Sequence, residues 1–367
     1  MSWRNRVEVS YRALKHNVAA MRAAAGGRHV IAVVKADAYG LGLDRCARIY
    51  HEAGVAALAV AAISEADRVR SAVPEARVIL LGAPLPEERK NVVASGYEVC
   101  CSTVDEVQEF AHLATPRAPQ SVHVFVDTGM GRFGCIPEEA EAVIKEVLSW
   151  TTLRLAGIAT HYPMATSPDF SSRQEDQFIA LLNRLPSLPP DCWIHYANSE
   201  GVMLRPPGPA HAVRCGLLLT GVVPDGCPDP GVLPAVRWLS SLSLVKRLPK
   251  GHGISYNHET ILARDSVVGI VPVGYADGYP IALSRSGRAT VLIQGRRCPV
   301  LGRVTMDYLI VDCTDLPQPP NPGEQVVLFG VQGNERIPIN ELARLAGTIP
   351  YDILCGMRGR CEIVGVP

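Results

Sequence analysis

Eight short apolar runs, separated by longer segments with helical spacing, fill the first two-thirds of the chain and constrain its fold more than any other feature. The runs are "HVIAVVK", "AALAVA", "ARVILLG", "YEVCC", "SVHVFVDTG", "LRLAGIATH", "CWIHYAN" and "HAVRCG". Their hydrophobicity is continuous rather than alternating, the pattern of strands buried on both faces. The segments between them carry helix-start signals. In "STVDEVQEFAHLA", Ser102 or Thr103 can cap a helix with acidic residues in its first turn; "PEEAEAVIKEVLSW" opens with Pro137 at a first-turn position; "SSRQEDQFIALLNRL" has Ser171 or Ser172 before an acidic turn. Strand and helix alternating about eight times predicts an all-parallel sheet covered by helices, and roughly 235 residues for eight units is the size of a (β/α)8 barrel. A doubly wound open sheet is the competing arrangement.

After "PDGCPDPGVLPAV" the texture changes to short strands with close turns, "SLSLVKRL", "SVVGIVPVG", "ATVLIQG", "YLIVDC" and "QVVLFG", with only "INELARLAG" reading as helical. The expected organisation is a barrel domain over 1–236 and a mostly β domain over 237–367. A length of 367 residues is itself more than one core usually supports.

Composition narrows the function classes. Lys and Arg number 36, as do Asp and Glu, with no long run of one sign, which argues against nucleic acid or a membrane surface as partner. The opening "MSWRNRVEVS" is too polar for a signal peptide, and "GVAALAVAAI" is too short for a membrane span. Eleven cysteines, without a C-x-x-C pair or zinc-type spacing, suit a reducing cytoplasm and buried thiols rather than a disulfide scaffold or a metal site; adjacent Cys100 and Cys101 read as strand packing.

In a barrel, chemistry gathers at the C-terminal ends of the strands. The first run ends in Lys35, followed by Tyr39 in a glycine-punctuated turn. "VFVDTGMGRFG" presents Arg132 in a glycine-rich loop, "IATHY" ends in His161, "HYANSEG" brings Asn198 and Ser199, and "VRCGLLLTG" brings Arg214 and Gly216. Free backbone N–H groups in the last two loops suit an anion, as in barrel phosphate sites. Singly, each residue has a structural reading: a solvated lysine, a packed histidine, a rim ion pair. Together they predict a barrel enzyme for a phosphorylated ligand, with an amine able to bond covalently to a carbonyl group.

"VVKADAYGLG" resembles the cofactor-lysine motif of alanine racemases, pyridoxal 5'-phosphate (PLP) enzymes built from a barrel and a β domain. The resemblance continues in order through "VEVSYRALKHNV", "VDTGMGRFG", "GIATHY", "ANSEG", "VRCG", "ISYN", "VPVGYADGYP", "LGRVTMD" and "YDILC". It implies that Lys35 holds PLP covalently. Tyr39, Ser199, the backbone of Gly216 and Leu217, and Tyr351 resemble the phosphate-binding set. Arg214 resembles the arginine facing the pyridine nitrogen, His161 the histidine beside it, and Asn198 a further residue near the cofactor. Arg132 resembles the arginine that places the cofactor oxygen and the substrate carboxylate. Tyr256 resembles a second acid/base opposite Lys35, Met306 and Asp307 resemble residues lining the substrate site, and Tyr275 resembles an entryway residue. Tyr256, Met306 and Asp307 are implied to act across a head-to-tail homodimer.

The implied activity is interconversion of L- and D-alanine by two opposed proton carriers, Lys35 and Tyr256, supplying D-alanine for peptidoglycan in the cytoplasm. An arginine at the ring nitrogen does not readily give up a proton, so the cofactor stays a weaker electron sink, which disfavours side reactions. A fold-related decarboxylase is implied to carry a carboxylate there, and "HAVRCG" offers none. The chain departs from the family pattern at several points. Phe125 stands where many members have a lysine, often carbamylated, seven residues before Arg132. Thr305 replaces a common cysteine, Cys215 a frequent proline and Asn257 a frequent glycine. The terminal "MRGRCEIVG" only approximates the usual pattern. The neighbouring readings are a serine or broad-specificity racemase and a PLP carrier without turnover, the latter disfavoured by the intact "ISYN" and "TMD".

Overall fold

The computed structural model describes residues 4–205, 208–357 and 359–367. After β1 (Arg6–Ser10), eight strands close into a parallel barrel: β2 (His29–Val33), β3 (Ala57–Val60), β4 (Val78–Leu80), β5 (Glu98–Cys101), β6 (Gln120–Phe125), β7 (Leu153–Ala159), β8 (Trp193–His195) and β9 (Ala212–Cys215). Closure is made by β9 on β2, with His29 opposite Ala212 and Ala32 opposite Cys215. Each strand coincides with one of the eight apolar runs. The closed order excludes the open sheet, and β3 to β5 are buried at every position, as continuous hydrophobicity requires.

Helix starts follow the local chemistry with one correction. Thr103 caps the helix Val104–Leu113 by accepting from Glu106 N at 3.1 Å, and Pro137 is the first residue of Pro137–Ser149. The next helix does not start after Ser171 or Ser172. It runs Pro168–Leu182 behind Ser167, because Pro168 favours a first-turn position and sets the start earlier.

The remaining strands are β10 (Val236–Ser241), β11 (Leu244–Leu248), β12 (Gly253–Ile254), β13 (Thr260–Ile261), β14 (Ser266–Val271), β15 (Thr290–Ile293), β16 (Arg296–Leu301), β17 (Leu309–Asp312), β18 (Gln325–Gln332), β19 (Glu335–Ile337) and β20 (Glu362–Val366). Most join one sheet in the order β11-β14-β17-β16-β15-β18-β10-β1-β20, so β1 leaves the barrel to pair antiparallel with β10 and parallel with β20. Trp238 of β10, fully buried, packs against Tyr279 and Phe329 at the centre of this layer. "INELARLAG" forms the helix Ile339–Ala346. A second helix, Pro350–Gly356, was not anticipated, being too short for a periodic signal and marked only by Pro350 at its start.

Candidate active site

The turn that carries Lys35 has a strained backbone. Glycine does not make it: Ala36, Asp37, Ala38 and Tyr39 all have φ between 52° and 58°, a left-handed turn over Lys35–Gly40. Each such non-glycine residue costs about 1–2 kcal/mol. Hydrogen bonds fix the turn from outside. Ala36 N donates to Glu65 Oε1 at 2.5 Å, Ala38 N to the Val34 carbonyl, Gly42 N to the Asp37 carbonyl and Leu43 N to Asp37 Oδ1 at 3.0 Å. Glu65, three residues into its own helix, also accepts from Ala61 N and Ala62 N, and so ties the lysine turn to the end of β3. Sequence reading passed over Glu65, whose only signal is an acid at the third position of a helix.

Lys35 is thereby held half-buried at the barrel mouth. Burial, then the positive charge of Arg132, lowers its pKa from the usual 10.5, with Glu65 opposing. A lysine shifted in this direction has more free amine at neutral pH, the form that attacks carbonyl carbon. Arg132 reaches the mouth from the loop after β6. There the Asp127 carboxylate accepts from Gly129 N, Met130 N and Gly131 N at 2.6–2.9 Å.

Arg214, on β9, is buried. One terminal nitrogen donates to the Thr160 carbonyl at 2.7 Å, to Tyr196 O and to His161 Nδ1 at 3.1 Å; the other donates to His195 O at 2.8 Å and His195 Nδ1 at 2.7 Å. Burial lowers its pKa to about 10, which leaves it cationic at pH 7. Burial and the charges of Arg214, Arg132 and Lys35 lower His161 to about 3, so its imidazole is neutral. With Nδ1 accepting from Arg214, its proton sits on Nε2.

Behind Arg214 a relay crosses the barrel interior. His195 Nε2 lies 2.9 Å from His123 Nδ1, and His123 Nε2 lies 2.7 Å from Glu98 Oε2, which Arg77 grips at 2.6 and 2.8 Å. Guanidinium only donates and carboxylate only accepts, so the ends fix the middle: both histidines are neutral and carry their proton on Nε2. Desolvation lowers both histidines in the same sense. Gly157 makes room, since a Cβ there would meet His123 Nδ1 at 2.2 Å. These strand-interior residues looked like core in the sequence.

The last two barrel strands and the C-terminal region build a polar cradle. Ser199 Oγ accepts from Gly216 N at 3.3 Å and Leu218 N at 3.5 Å. Tyr39 approaches so closely that a Cβ on Gly216 would lie 2.1 Å from its hydroxyl, and the Tyr351 ring lies tilted against that of Tyr39 with centres 5.4 Å apart. Leu217 is buried where the short helix Leu217–Thr220 begins. Asn198 is engaged within the protein at both ends of its amide, capping Ser199–Leu204 through Gly201 N and donating to the Tyr162 carbonyl. The cradle, Lys35, Arg132 and Arg214 together offer backbone and hydroxyl donors, two guanidinium groups and an amine. Such a set accommodates an anionic carbonyl compound.

Tyr256, Tyr275, Met306 and Asp307 do not join this cluster within the chain. They form a second one on the β domain. Ser255 Oγ donates to Arg303 O, Tyr275 N to Thr305 O and Ala276 N to Met306 O, which knits three loops together. Tyr256 is 67% and Met306 52% exposed. Asp307 is held by Arg360 at 2.6 Å, and Arg360 also grips buried Asp277 with two bonds of 2.9 Å, a role for the terminal segment that the sequence did not reveal. Arg358 of that segment lies outside the described residues. Phe125, at the lysine position, lies beneath Arg214, whose guanidinium carbon is 5.6 Å from its ring centre.

Residues 9–224 match the family model for the alanine racemase N-terminal domain, and residues 235–364 that for the C-terminal domain. An alanine racemase of Symbiobacterium thermophilum is 37% identical over 96% of this chain and 94% of its own. The crystal structure of alanine racemase from E. faecalis superposes with a TM-score of 0.91 at 31% identity, covering 98% of both chains. That of Bartonella henselae, solved with covalently bound pyridoxal phosphate, gives 0.90 at 27% identity over 99% of both. With both domains matched in order along nearly its whole length, the chain belongs to the alanine racemase family.

Proposed function

We propose that the chain interconverts L- and D-alanine with PLP, using Lys35 and Tyr256 of the partner subunit as its two proton carriers. The observation that carries this reading is the amine of Lys35, fixed by a left-handed turn beside two guanidinium groups with its pKa lowered. The residues fit the cofactor. Arg214 is a buried cation bound by carbonyls and neutral imidazoles, an arrangement suited to an anionic ligand, and Gly216 leaves open the space beside Tyr39 that a side chain would fill. Lys35 would hold the aldehyde; Tyr39, Ser199, Gly216, Leu217 and Tyr351 the phosphate; Arg214, backed by His161 and Asn198, the ring side. When bound, PLP supplies a conjugated electron sink that acidifies the α-hydrogen of an amino acid joined to it.

The protein's own groups do the rest. Lys35 Nζ takes and returns the α-proton on one face. The Tyr256 hydroxyl does the same on the other, with the Nε2 proton of neutral His161 available to polarise it. Acid–base groups of this kind typically contribute about 10²–10⁴-fold. Arg132 receives the substrate carboxylate, and Met306 and Asp307 bound the space for a small side chain.

A head-to-tail homodimer is part of the reading, because Tyr256, Tyr275 and Met306 are large apolar or aromatic side chains left exposed on the β domain. So are a domain division at 236/237, a cytoplasmic location and a role in supplying D-alanine for peptidoglycan. Among the described residues no helix is long and apolar enough to cross a membrane. The test is chiral analysis after incubating the holoenzyme with L-alanine and L-serine separately. Racemisation of alanine is expected, serine turnover exceeding it would move the substrate assignment, and no change in either would reject the activity.

A further inference from the structure

Cys298 lies on β16 and Cys313 follows β17, the two arms of the hairpin whose tip carries Thr305, Met306 and Asp307. The register sets Val300 opposite Val311 and Leu301 opposite Ile310. Carried two residues back along β16, it sets Cys298 directly opposite Cys313. Facing residues of an antiparallel pair have Cβ atoms about 4.5–5.5 Å apart, close to the distance a disulfide spans. Each residue is only 2% exposed, and Gly269 of β14 packs against Cys313, where a Cβ would lie 3.0 Å from its Sγ.

Burial does not seal the pair. Cys313 lines an open cavity of about 450 Å³ shared with Arg247, Leu248, Asp265, Thr314 and Leu316. The cavity gives a small polar oxidant an approach to this residue. The neighbouring Cys298 thiol lowers the pKa of Cys313, while Cys313 and burial together raise that of Cys298. The residue that ionises more readily is therefore the one that lines the cavity.

We propose that Cys298 and Cys313 are a dithiol site that hydrogen peroxide converts into a cross-strand disulfide, clamping the base of the hairpin that carries Met306 and Asp307. The Cys313 thiolate attacks one peroxide oxygen; the O–O bond breaks, and the departing oxygen takes a proton to leave as water. The Cys298 sulfur then attacks the Cys313 sulfur. An S–S bond forms, the S–O bond breaks, and the Cys298 proton leaves with that oxygen as a second water. Two thiols are oxidised by two electrons and the peroxide is reduced by two.

The test treats the holoenzyme with hydrogen peroxide, alkylates remaining thiols and maps non-reduced peptides by mass spectrometry. The expected result is a peptide linked through Cys298 and Cys313, released by dithiothreitol, with a rise in unfolding midpoint of roughly 2–6 °C for closing a loop of this length. In Cys298→Ser, or Cys298→Ala if serine does not fold, Cys313 is expected to be trapped by dimedone as the sulfenic acid. Wild-type protein that keeps both thiols alkylatable, or carries Cys313 sulfinic acid beside an unmodified Cys298, overturns the proposal. The mapping does not depend on turnover and stands apart from the racemase reading.

Discussion

Replacing Glu98 by glutamine probes the relay that holds Arg214 in place. The carboxylate is 6% exposed and accepts three short hydrogen bonds, two from Arg77 and one from His123. Burial alone would raise its pKa; the donors from His123 and Arg77 outweigh burial and hold it at about 2, against 4.5 for a free glutamic acid. That difference corresponds to roughly 3 kcal/mol of stability at neutral pH. Because the folded value is the lower one, the stabilisation is complete above pH 4.5, declines as pH falls and is gone below about 2. Arg77 is 24% exposed and can recover water on losing its partner, which places the cost of Glu98→Gln at roughly 2–3 kcal/mol at pH 7. Equilibrium urea unfolding of wild type and variant, followed by tryptophan fluorescence, measures it. The gap is expected to shrink to less than about half by pH 3. PLP affinity is expected to weaken as well, since His195 loses its fixed orientation toward Arg214. A destabilisation below about 0.5 kcal/mol at pH 7, or the same value at pH 7 and pH 3, would refute the reasoning.

Gly216→Ala drives a Cβ to 2.1 Å from the buried Tyr39 hydroxyl and is expected to weaken PLP binding at least about 10-fold, or ~1.4 kcal/mol, in a spectroscopic titration. Lys35 is expected to capture PLP with a pH midpoint below 10.5. Arg132→Met, by removing a nearby positive charge, is expected to move that midpoint upward and slow capture at pH 7 in stopped-flow absorbance; an unchanged midpoint would contradict the assigned cause.

The barrel was legible because parallel strands buried on both faces leave an unbroken apolar signature, and "ARVILLG" or "LRLAGIATH" has few other ways to bury itself. The cradle residues were legible because they fall at consecutive strand ends. What stayed hidden is what depends on three-dimensional approach. Nothing in "KADAYG" announces four left-handed residues, since alanine and tyrosine carry no preference for that region and only Glu65 and the surrounding packing impose it. Glu98, His123 and His195 read as strand interior, because residues that share a relay across a barrel are scattered in sequence. Arg360 gave no sign of clamping Asp277 and Asp307, which lie 83 and 53 positions away.

The central claim, that Lys35 of one subunit works opposite Tyr256 of the partner subunit, is tested most directly by complementation. Lys35→Ala and Tyr256→Phe chains are each expected to be nearly inactive alone. Co-expressed and purified as a mixed dimer, they would contain one site with both native residues and one with neither, and the expected kcat per dimer is about half that of wild type. A mixed dimer no more active than its parents would contradict the account.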